Sequence, residues 1–167
     1  MYFLLNTSTV LRNILIVCAG NICRSPMAAG LLKQALIKAE QTGYFINSAG
    51  LIALVGRQAD PIACQLLYER GVDISDHRAC QINREMIRKA DLILVMEFNQ
   101  KIAIEKNEPT SRGKVFLLGE WGKFDVMDPY QQDITVFERS LAQIEKGIFQ
   151  WLSKLSIQSL KSKSDPL

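Results

Sequence analysis

Cys18 and Arg24 are separated by five residues, at the point where an apolar run gives way to a segment with a helical pattern. A cysteine thiolate is a strong nucleophile, and an arginine guanidinium is a planar fork that can hold two phosphate oxygens at once. Ser25, next to Arg24, adds a hydroxyl group that can donate a hydrogen bond to the thiolate. These residue types at this spacing predict a cradle for phosphate with a nucleophile at its floor.

The loop between the cysteine and the arginine has the composition of an anion-binding turn. Gly20 and Asn21 both tolerate left-handed backbone angles, which a tight loop requires. Such a loop can turn successive N–H groups towards an anion, and we expect this nest to stabilise the thiolate of Cys18. Pro26 suits the first turn of a helix, whose N-terminus adds positive potential at the same place. The other residues of the predicted phosphate-binding loop are Ala19, Ile22, Cys23 and Ser25.

A second interpretation treats Cys18 and Cys23 as small buried hydrophobic residues and Arg24 as a surface cation. It would be the better interpretation of a cysteine that stood alone. Here the cysteine–arginine spacing coincides with the end of an apolar run, with loop-forming residues and with the start of a helical pattern. Because these conditions are met together, the phosphate cradle is favoured.

Four short apolar runs alternate with helical patterns along the chain. This alternation predicts a single three-layer α/β domain, with a four-stranded parallel sheet and helices on both faces. In such a sheet, ligands bind beyond the carboxyl ends of the strands, which is where Cys18 falls. The predicted strands are Asn13–Val17, Tyr44–Ser48, Leu92–Met96 and Val115–Leu118. The predicted helices are Pro26–Lys38, Asp60–Arg70, Asn83–Lys89 and Asn99–Asn107.

A fifth helix is predicted near the end of the chain by a continuous apolar stripe. The stripe has spacings of three and four residues and consists of Phe137, Leu141, Ile144, Ile148, Trp151 and Leu155. Thr135 and Glu138 have the spacing of a capping box at its start. The polar and basic residues that follow predict a flexible tail. We therefore expect one domain over 1–167, with a core of about 13–155, an N-terminal extension of 1–12 and a tail of 156–167.

The composition excludes several classes of protein. The chain has 167 residues and a formal net charge of +3, without a dense basic block in its body, which argues against nucleic-acid binding. Four cysteines without paired metal-ligand spacing and a single histidine predict neither a metal site nor a cofactor. No apolar run approaches the roughly 20 residues of a membrane helix, and Met1–Asn13 lacks the basic start of a secretion signal. We expect a cytoplasmic protein with reduced thiols.

A cysteine that attacks a phosphate monoester needs a proton donor for the leaving group. General-acid catalysis by a positioned carboxyl group contributes about 10²–10⁴-fold. The turn-rich segment FDVMDPYQQD lies between the last predicted strand and the last helix, on the sheet edge where Cys18 is expected. It contains three carboxylates, those of Asp125, Asp128 and Asp133. Pro129 holds the backbone at Asp128 away from the helical region, but residue types alone leave all three as candidates.

The segment VCAGNICRSP resembles, nearly residue for residue, the phosphate-loop signature Cys-x-x-Asn-x-Cys-Arg-Ser-Pro of the low-molecular-weight protein tyrosine phosphatases. This signature is far more specific than a cysteine and an arginine at the same spacing. The resemblance covers about Asn13 to Leu155. It continues through NSAG at Asn47–Gly50, DISDHRACQI at Asp73–Ile82, DLILVM at Asp91–Met96 and DPY at Asp128–Tyr130.

The resemblance implies a flavodoxin-like or Rossmann-like phosphatase fold and a hydrolase that acts on phosphotyrosine without a metal. It implies that Cys18 becomes a phosphocysteine, that Arg24 binds the phosphate and that Asp128 is the general acid. Asp125 and Asp133 are then turn or cap residues.

The resemblance also assigns residues around this centre. Tyr130 matches an aromatic wall for the substrate ring. Cys23 matches a second loop cysteine that can trap the oxidised nucleophile as a reversible disulfide, although simple packing accounts for it equally well. We expect Cys64 in the core and Cys80 near the edge of the site. The hydrogen-bonded support of the loop falls on Asn21, Ser25, Ser48 and His77.

The loop SAGLIALVGRQADP departs from the eukaryotic members, which carry an aromatic residue where this chain has aliphatic ones. It resembles the bacterial branch associated with exopolysaccharide or capsule export. That branch implies a substrate in the phosphorylated, tyrosine-rich tail of a membrane-bound tyrosine kinase. It also implies that Leu54 lines the mouth of the site, where a packed loop leucine is the simpler alternative.

Two other functions are weighed against the phosphatase. A thiol-dependent arsenate reductase uses the same fold and loop, but it needs two further cysteines close together, and Cys64 and Cys80 are far apart in sequence. A non-catalytic phosphate-binding module is disfavoured because the nucleophile, the arginine and the candidate acid are all present.

Overall fold

Four parallel strands form the central sheet of the computed structural model, which describes residues 11–163 of the chain and side chains up to residue 155. The strands are β1 (Asn13–Cys18), β2 (Phe45–Gly50), β3 (Leu92–Val95) and β4 (Val115–Leu117), in the order β2-β1-β3-β4. All three pairings are parallel. Each strand overlaps the apolar run that predicts it, so the predicted four-stranded parallel sheet is confirmed.

Within residues 11–163, five α-helices connect and flank the strands. They are α1 (Arg24–Lys38), α2 (Pro61–Tyr68), α3 (Arg84–Lys89), α4 (Phe98–Asn107) and α5 (Ile134–Lys163), with a short 3-10 turn at Pro109–Ser111. The helix α1 begins at Arg24 rather than at Pro26, so that the proline lies in its first turn. Every predicted helix is present, with differences only at its ends.

The sheet is covered on both faces because its strands divide their apolar side chains between two cores. In β1, Ile14 and Ile16 belong to a large cluster with α1, α2 and α5, whereas Leu15 and Val17 belong to a smaller cluster with α3 and α4. None of these four side chains is more than 3 % exposed. Burial on both faces explains why the strand is an unbroken apolar run, and it confirms the three-layer arrangement.

Side chains just outside α2 and α3 fix where these helices begin. Asp60 Oδ1 accepts a hydrogen bond from Ile62 N at 2.9 Å, and Asn83 Oδ1 accepts one from Met86 N at 2.9 Å. Each bond satisfies one of the N–H groups that a helix leaves without a partner at its first turn. The two residues predicted to open these helices are therefore their N-caps.

The start of α5 differs from the predicted capping box. The helix begins at Ile134, so Thr135 lies inside its first turn and is not its N-cap. Asp133 takes that role, because its Oδ1 accepts a hydrogen bond from Val136 N at 3.2 Å. An aspartate is at least as good an N-cap as a threonine, and the capping box of Thr135 and Glu138 is wrong.

The apolar stripe of α5 is buried, with Phe137 and Leu155 at its two ends 1 % and 2 % exposed. The helix continues to Lys163, well into the segment predicted as a tail, and residues 164–167 lie outside the described residues. So does most of the predicted N-terminal extension, of which residues 11 and 12 are described. No helix in the described part of the chain is both long enough and apolar enough to cross a membrane.

The carboxyl ends of the four strands lie along one edge of the sheet, since all the strands are parallel. Cys18, the last residue of β1, is paired with Gly50, the last residue of β2. The loop that follows β1 therefore lies beside the loop that follows β2, and the segments after β3 and β4 start from the same edge. This is the edge at which the sequence predicts the site.

Gly147 provides a test of how α5 packs against the sheet. A methyl group added there would lie 2.7 Å from the carbonyl oxygen of Leu118, just after β4. Because backbone cannot move aside cheaply, Gly147→Ala should lower the free energy of unfolding, measured in urea, by about 1–3 kcal/mol. Gly20→Ala is the control, since its methyl group would meet only Ile22 (3.7 Å) and Leu54 (3.8 Å) at ordinary contact distances, and its free energy of unfolding should match that of the parent. A Gly147→Ala protein as stable as the parent would contradict this packing.

Candidate active site

The loop after β1 has its carbonyl groups hydrogen-bonded to segments outside it. Five successive carbonyl oxygens, from Cys18 to Ile22, each accept such a bond. Because the N–H and C=O of a peptide unit point in opposite directions, the N–H groups are left facing the inside of the loop, as in an anion nest. The bonds run from Leu51 N to Cys18 O (3.0 Å), Ile52 N to Ala19 O (3.0 Å), Leu54 N to Gly20 O (3.1 Å), His77 Nε2 to Asn21 O (2.7 Å) and Asp60 N to Ile22 O (2.8 Å).

Asn21 reverses the direction of this loop, with a left-handed φ of 57°. Asparagine tolerates this conformation better than most residues that carry a side chain. Gly20, which the sequence also predicts as able to adopt this conformation, does not have a positive φ. Asn21 alone therefore supplies the left-handed residue of this loop. A methyl group added at Gly20 would meet Ile22 and Leu54 at ordinary contact distances of 3.7 and 3.8 Å, so the structure has room for a side chain there.

The side chain of Asn21 ties the loop to two other segments. Its Nδ2 donates to Ser25 Oγ at 2.8 Å and to Ser48 Oγ at 3.0 Å, and its Oδ1 accepts from Cys80 N at 2.9 Å. The residue is fully buried, so these bonds replace hydrogen bonds to water. The structure thus brings Asn21, Ser25, Ser48 and His77 into one network. The backbone N–H of Cys80 also belongs to this network, and no pattern in the sequence predicts that contact.

His77 supports the loop through the carbonyl oxygen of Asn21, which can only accept a hydrogen bond, so the Nε2 atom carries the proton. Burial lowers the pKa of His77 below its ordinary value. The hydrogen bond to Asn21 opposes this shift of the pKa, while the charges of Lys33 and Arg78 add to it. The imidazole is therefore neutral near pH 7 and still donates its hydrogen bond.

Cys18 lies at the floor of the nest, 3 % exposed. Asn21 N donates to its Sγ at 3.3 Å, and Ser25 Oγ lies 3.0 Å from the same sulfur. Because Ser25 Oγ already accepts a hydrogen bond from Asn21 Nδ2, its own hydrogen is free to point at the sulfur. Two donors are thus directed at the sulfur, inside a nest that also suits the oxygens of a phosphate group.

Arg24 is 2 % exposed, and its charge is balanced by several partners. Nη1 donates to the carbonyl oxygen of Val126 at 2.9 Å and also contacts the carboxylate of Glu97. Nη2 lies 3.0 Å from Asp128 Oδ2. A buried guanidinium would be costly without such partners, so these contacts hold the fork in place at the edge of the nest.

Glu97 and Val126 are absent from the residues predicted from the sequence. They contact Arg24 across 73 and 102 positions of the chain, so local spacing carries no trace of either contact. The signal that could have pointed to Glu97 is its place just after the apolar run of β3, at the edge of the sheet where ligands bind.

Of the three carboxylates in the loop before α5, Asp128 is the one that contacts Arg24. Asp125 Oδ1 accepts a hydrogen bond at 3.1 Å from the first N–H of α4, and Asp133 caps α5. Asp128 has a side chain that is 46 % exposed, and its Oδ1 accepts from Tyr130 N at 3.1 Å. The hydrogen-bond partners therefore distinguish Asp128, the predicted acid, from Asp125 and Asp133. These two bond the N-termini of helices, in agreement with their prediction as turn or cap residues.

A pocket of about 160 Å³ is lined by buried residues around Cys18, which is 3 % exposed, and by more exposed residues such as Tyr130, which is 38 % exposed. Its floor is formed by the phosphate-loop residues. Its mouth includes Leu54 and Tyr130, the two residues predicted as a wall. Ile52 also lines the pocket, although its side chain is 80 % exposed and it is not among the predicted site residues. The arrangement suits a tetrahedral anion at the floor that carries a flat apolar group.

The other three cysteines have different surroundings. Cys23 lines the pocket but is 4 % exposed, and its burial, reinforced by Asp60 and Cys18, raises its pKa far above the ordinary range, so it stays a thiol. Cys64 packs partly against the large core, and Cys80 Sγ donates to a backbone carbonyl of β2 at 3.3 Å. Over the described residues, no three side chains of histidine, cysteine, aspartate or glutamate come together as a metal site.

Acid should weaken the protein through His77. Since folding lowers the pKa of this imidazole, the unfolded chain binds the proton more readily, and stability falls as the pH drops below about 6.5. His77→Gln keeps a donor for the Asn21 carbonyl but has no group that titrates. Between about pH 7.5 and pH 5.5, on either side of the ordinary pKa of histidine, we expect the melting temperature of the parent to fall more steeply than that of His77→Gln. Parallel pH profiles would contradict this account.

A family model described as "Low molecular weight phosphotyrosine protein phosphatase" matches residues 13–164. The probable low molecular weight protein-tyrosine-phosphatase EpsP of Ralstonia nicotianae is 44% identical over 146 residues, covering 87% of this chain and 97% of the relative. The crystal structure of the tyrosine phosphatase AmsI of Erwinia amylovora superposes with a TM-score of 0.83 at 39% identity, covering 93% of this chain and 99% of that one. The arginine phosphatase YwlE from Geobacillus stearothermophilus superposes with a TM-score of 0.83 at 31% identity, with the same coverage of 93% and 99%. The chain belongs to the low molecular weight phosphotyrosine protein phosphatase family.

Proposed function

We propose that this protein removes phosphate from phosphotyrosine in proteins, with Cys18 as the nucleophile. The observation that carries the proposal is the convergence of three groups on one pocket. The Cys18 sulfur lies within the amide nest, the Arg24 fork lies at its edge, and the Asp128 carboxylate is 3.0 Å from that fork. These groups are a nucleophile, a phosphate clamp and a proton donor, and membership of the phosphatase family supports the same assignment.

In the first half of the reaction, the Cys18 thiolate attacks phosphorus. The sulfur–phosphorus bond forms as the bond to the tyrosyl oxygen breaks, while the loop N–H groups and Arg24 hold the non-bridging oxygens. Asp128 gives its proton to the departing oxygen, so that a neutral phenol leaves. In the free protein Asp128 contacts Arg24. A bound phosphate group competes for the same guanidinium and thereby frees the carboxyl group to face the leaving oxygen.

In the second half of the reaction, water hydrolyses the phosphocysteine. Asp128, now a carboxylate, takes a proton from the water as its oxygen attacks phosphorus, and the sulfur–phosphorus bond breaks. Cys18 leaves as a thiolate, which the N–H of Asn21 and the hydroxyl of Ser25 stabilise. The donors that prepare the nucleophile in the first step therefore also make it a better leaving group in the second.

The depth of the pocket favours phosphotyrosine over phosphoserine. Cys18 is 3 % exposed beneath a mouth that includes Leu54 and Tyr130. A tyrosyl phosphate is long enough to reach this floor while its ring contacts the mouth, and such ring contacts add about 0.5–1.5 kcal/mol. A seryl phosphate is shorter and has no ring. The identities of 44% and 39% to tyrosine phosphatases, against 31% to an arginine phosphatase, support the tyrosyl substrate.

The proposal extends to the partner and the compartment. The loop SAGLIALVGRQADP resembles the bacterial branch associated with exopolysaccharide or capsule export. The proposed substrate is therefore the phosphorylated tail of a bacterial tyrosine kinase that controls this export. The proposed compartment is the cytoplasm, where a thiolate nucleophile stays reduced. The proposed activity is assigned to one phosphatase domain over 1–167, with a core of about 13–155.

Replacement of Cys18 and of Asp128 separates their two chemical roles. Cys18→Ser should abolish phosphate release, because a serine hydroxyl is not ionised near neutral pH. Asp128→Asn should lower kcat by about 10²–10⁴-fold, which is the usual contribution of a positioned general acid. Both effects are measured as phosphate release from phosphotyrosyl, phosphoseryl and phosphoarginyl peptides, in the presence of a chelator.

Asp133→Asn is the matched control for this experiment. It removes a carboxylate from the same loop, and asparagine caps a helix as well as aspartate does, so kcat should match that of the parent. Equal losses in Asp128→Asn and Asp133→Asn would contradict the role of Asp128. Release from the phosphoseryl or phosphoarginyl peptide as fast as from the phosphotyrosyl one would contradict the substrate. A parent without turnover would overturn the function, and arsenate with a thiol reductant would be the next substrate tested.

A further inference from the structure

The side chain of Gln81 makes two hydrogen bonds to the backbone of the loop after β2. Its Nε2 donates to the carbonyl oxygen of Leu51 at 2.7 Å, and its Oε1 accepts from Ala53 N at 2.9 Å. Both ends of the amide are therefore used, and both partners fix its orientation, because a carbonyl can only accept and an N–H can only donate. The residue between the two partners is Ile52.

These bonds extend a short ladder that the main chain begins. Gly50 N donates to Cys80 O at 2.9 Å, Ile82 N donates to Gly50 O at 2.9 Å, and Gly50 and Gln81 form an isolated parallel bridge. The two backbones are bonded to each other again only at Ala79, which accepts from Gly56 N at 2.8 Å and donates to Arg57 O at 2.8 Å, so Leu51–Ala53 between these points has no main-chain bond to the Cys80–Ile82 segment. The Gln81 amide takes over, and it offers the next two loop groups the acceptor and the donor that a neighbouring strand would supply.

The segment held in this way carries an apolar side chain at the mouth of the pocket. Ile52 lines the pocket together with Leu54 and Tyr130, and its side chain is 80 % exposed. An isoleucine so exposed at the mouth of a pocket gains most from a ligand that covers it. Its backbone N–H is bonded to Ala19 O at 3.0 Å, so the position of this side chain is tied to the phosphate loop as well.

We propose that Gln81 is a positioning residue, which holds Ile52 as an apolar wall against the aromatic ring of the substrate. This inference rests on the proposed function, since it requires an aryl phosphate in the pocket. Gln81 acts only through the Leu51–Ala53 backbone. Two of the five bonds to the phosphate-loop carbonyls come from this backbone, at Leu51 N and Ile52 N, and the other three do not depend on it. Loss of the Gln81 amide should therefore weaken the hold on the ring more than the hold on the phosphate.

Direct calorimetry of two probes separates these two effects. Inorganic phosphate occupies the nest alone, whereas benzylphosphonate adds a ring and is not hydrolysed. Gln81→Ala should bind benzylphosphonate about three- to ten-fold more weakly, the range expected from one aromatic–apolar contact. Its affinity for inorganic phosphate should fall by a clearly smaller factor, because three of the five bonds to the loop carbonyls come from other segments. Gln81→Met, which keeps the length of the side chain but loses both hydrogen bonds without adding a charge, should give the same loss as the alanine variant, and it serves if the alanine variant does not fold.

A double-mutant cycle with Ile52→Ala shows whether Gln81 acts through that residue. If it does, the double variant binds benzylphosphonate no more weakly than Ile52→Ala alone. Gln34→Ala is the matched control, because it removes amide bonds to the backbone of Arg70 and Gly71, on the opposite end of α1 from the nest, and should change neither affinity.

Four outcomes would overturn the inference. An equal loss of affinity for both probes in Gln81→Ala would show that the amide supports the whole site rather than the ring contact. An unchanged affinity for both probes would show that the amide does not position the wall. Additive losses in the double variant would show that Gln81 does not act through Ile52. If the parent binds benzylphosphonate no more tightly than inorganic phosphate, both the proposed aryl substrate and the role of Ile52 as its wall are overturned. That result needs no variant, so it is distinguishable from a failure of Gln81 to position Ile52.

Discussion

The outward hydrogen bonds of the loop carbonyls, from Cys18 to Ile22, are the constraint on which the site depends. A short loop can hold its N–H groups around an anion only if its carbonyl groups find partners elsewhere, since buried carbonyls without partners are costly. The partners come from the segment between β2 and α2 and from His77. The parallel pairing of β1 with β2 supplies most of them, because it places Gly50 beside Cys18 and starts Leu51 next to the loop. The nest is therefore a consequence of the register of the sheet as much as of the loop sequence.

Arg24 joins this nest to the other half of the site. Its guanidinium contacts Glu97 after β3, and Val126 and Asp128 after β4, so all these segments are tied to the phosphate loop. Val126 N also donates to the carbonyl oxygen of Met96 at 2.8 Å, which fixes the two outer segments to each other. The groups proposed to bind and attack are thus held in place before any substrate arrives, whereas Asp128 is held at Arg24 until phosphate takes its place. Preorganised charge of this kind is the largest single source of catalysis in many enzymes.

Local patterns in the sequence predict the strands, the helices and the phosphate loop, whereas contacts between distant segments escape them. Burial on two faces makes β1 an apolar run, and burial on one face makes α5 an apolar stripe, so both can be predicted. The choice among Asp125, Asp128 and Asp133 cannot be made this way, because three similar carboxylates share one loop. Their partners distinguish them: helix N-termini for two and a guanidinium for the third. Glu97 and Gln81 belong to no local pattern, because their partners lie 73 and about 30 positions away.

The most direct test of the central claim, that phosphate is held and attacked in the nest at Cys18, is detection of the phosphocysteine. The parent protein would be mixed with a phosphotyrosyl peptide, quenched within the first turnover, digested and examined by mass spectrometry. The account predicts a phosphoryl group on the peptide that contains Cys18, and its disappearance once the substrate is consumed. Turnover with the phosphoryl group on a different residue, or with none on the protein at any time, would contradict the account.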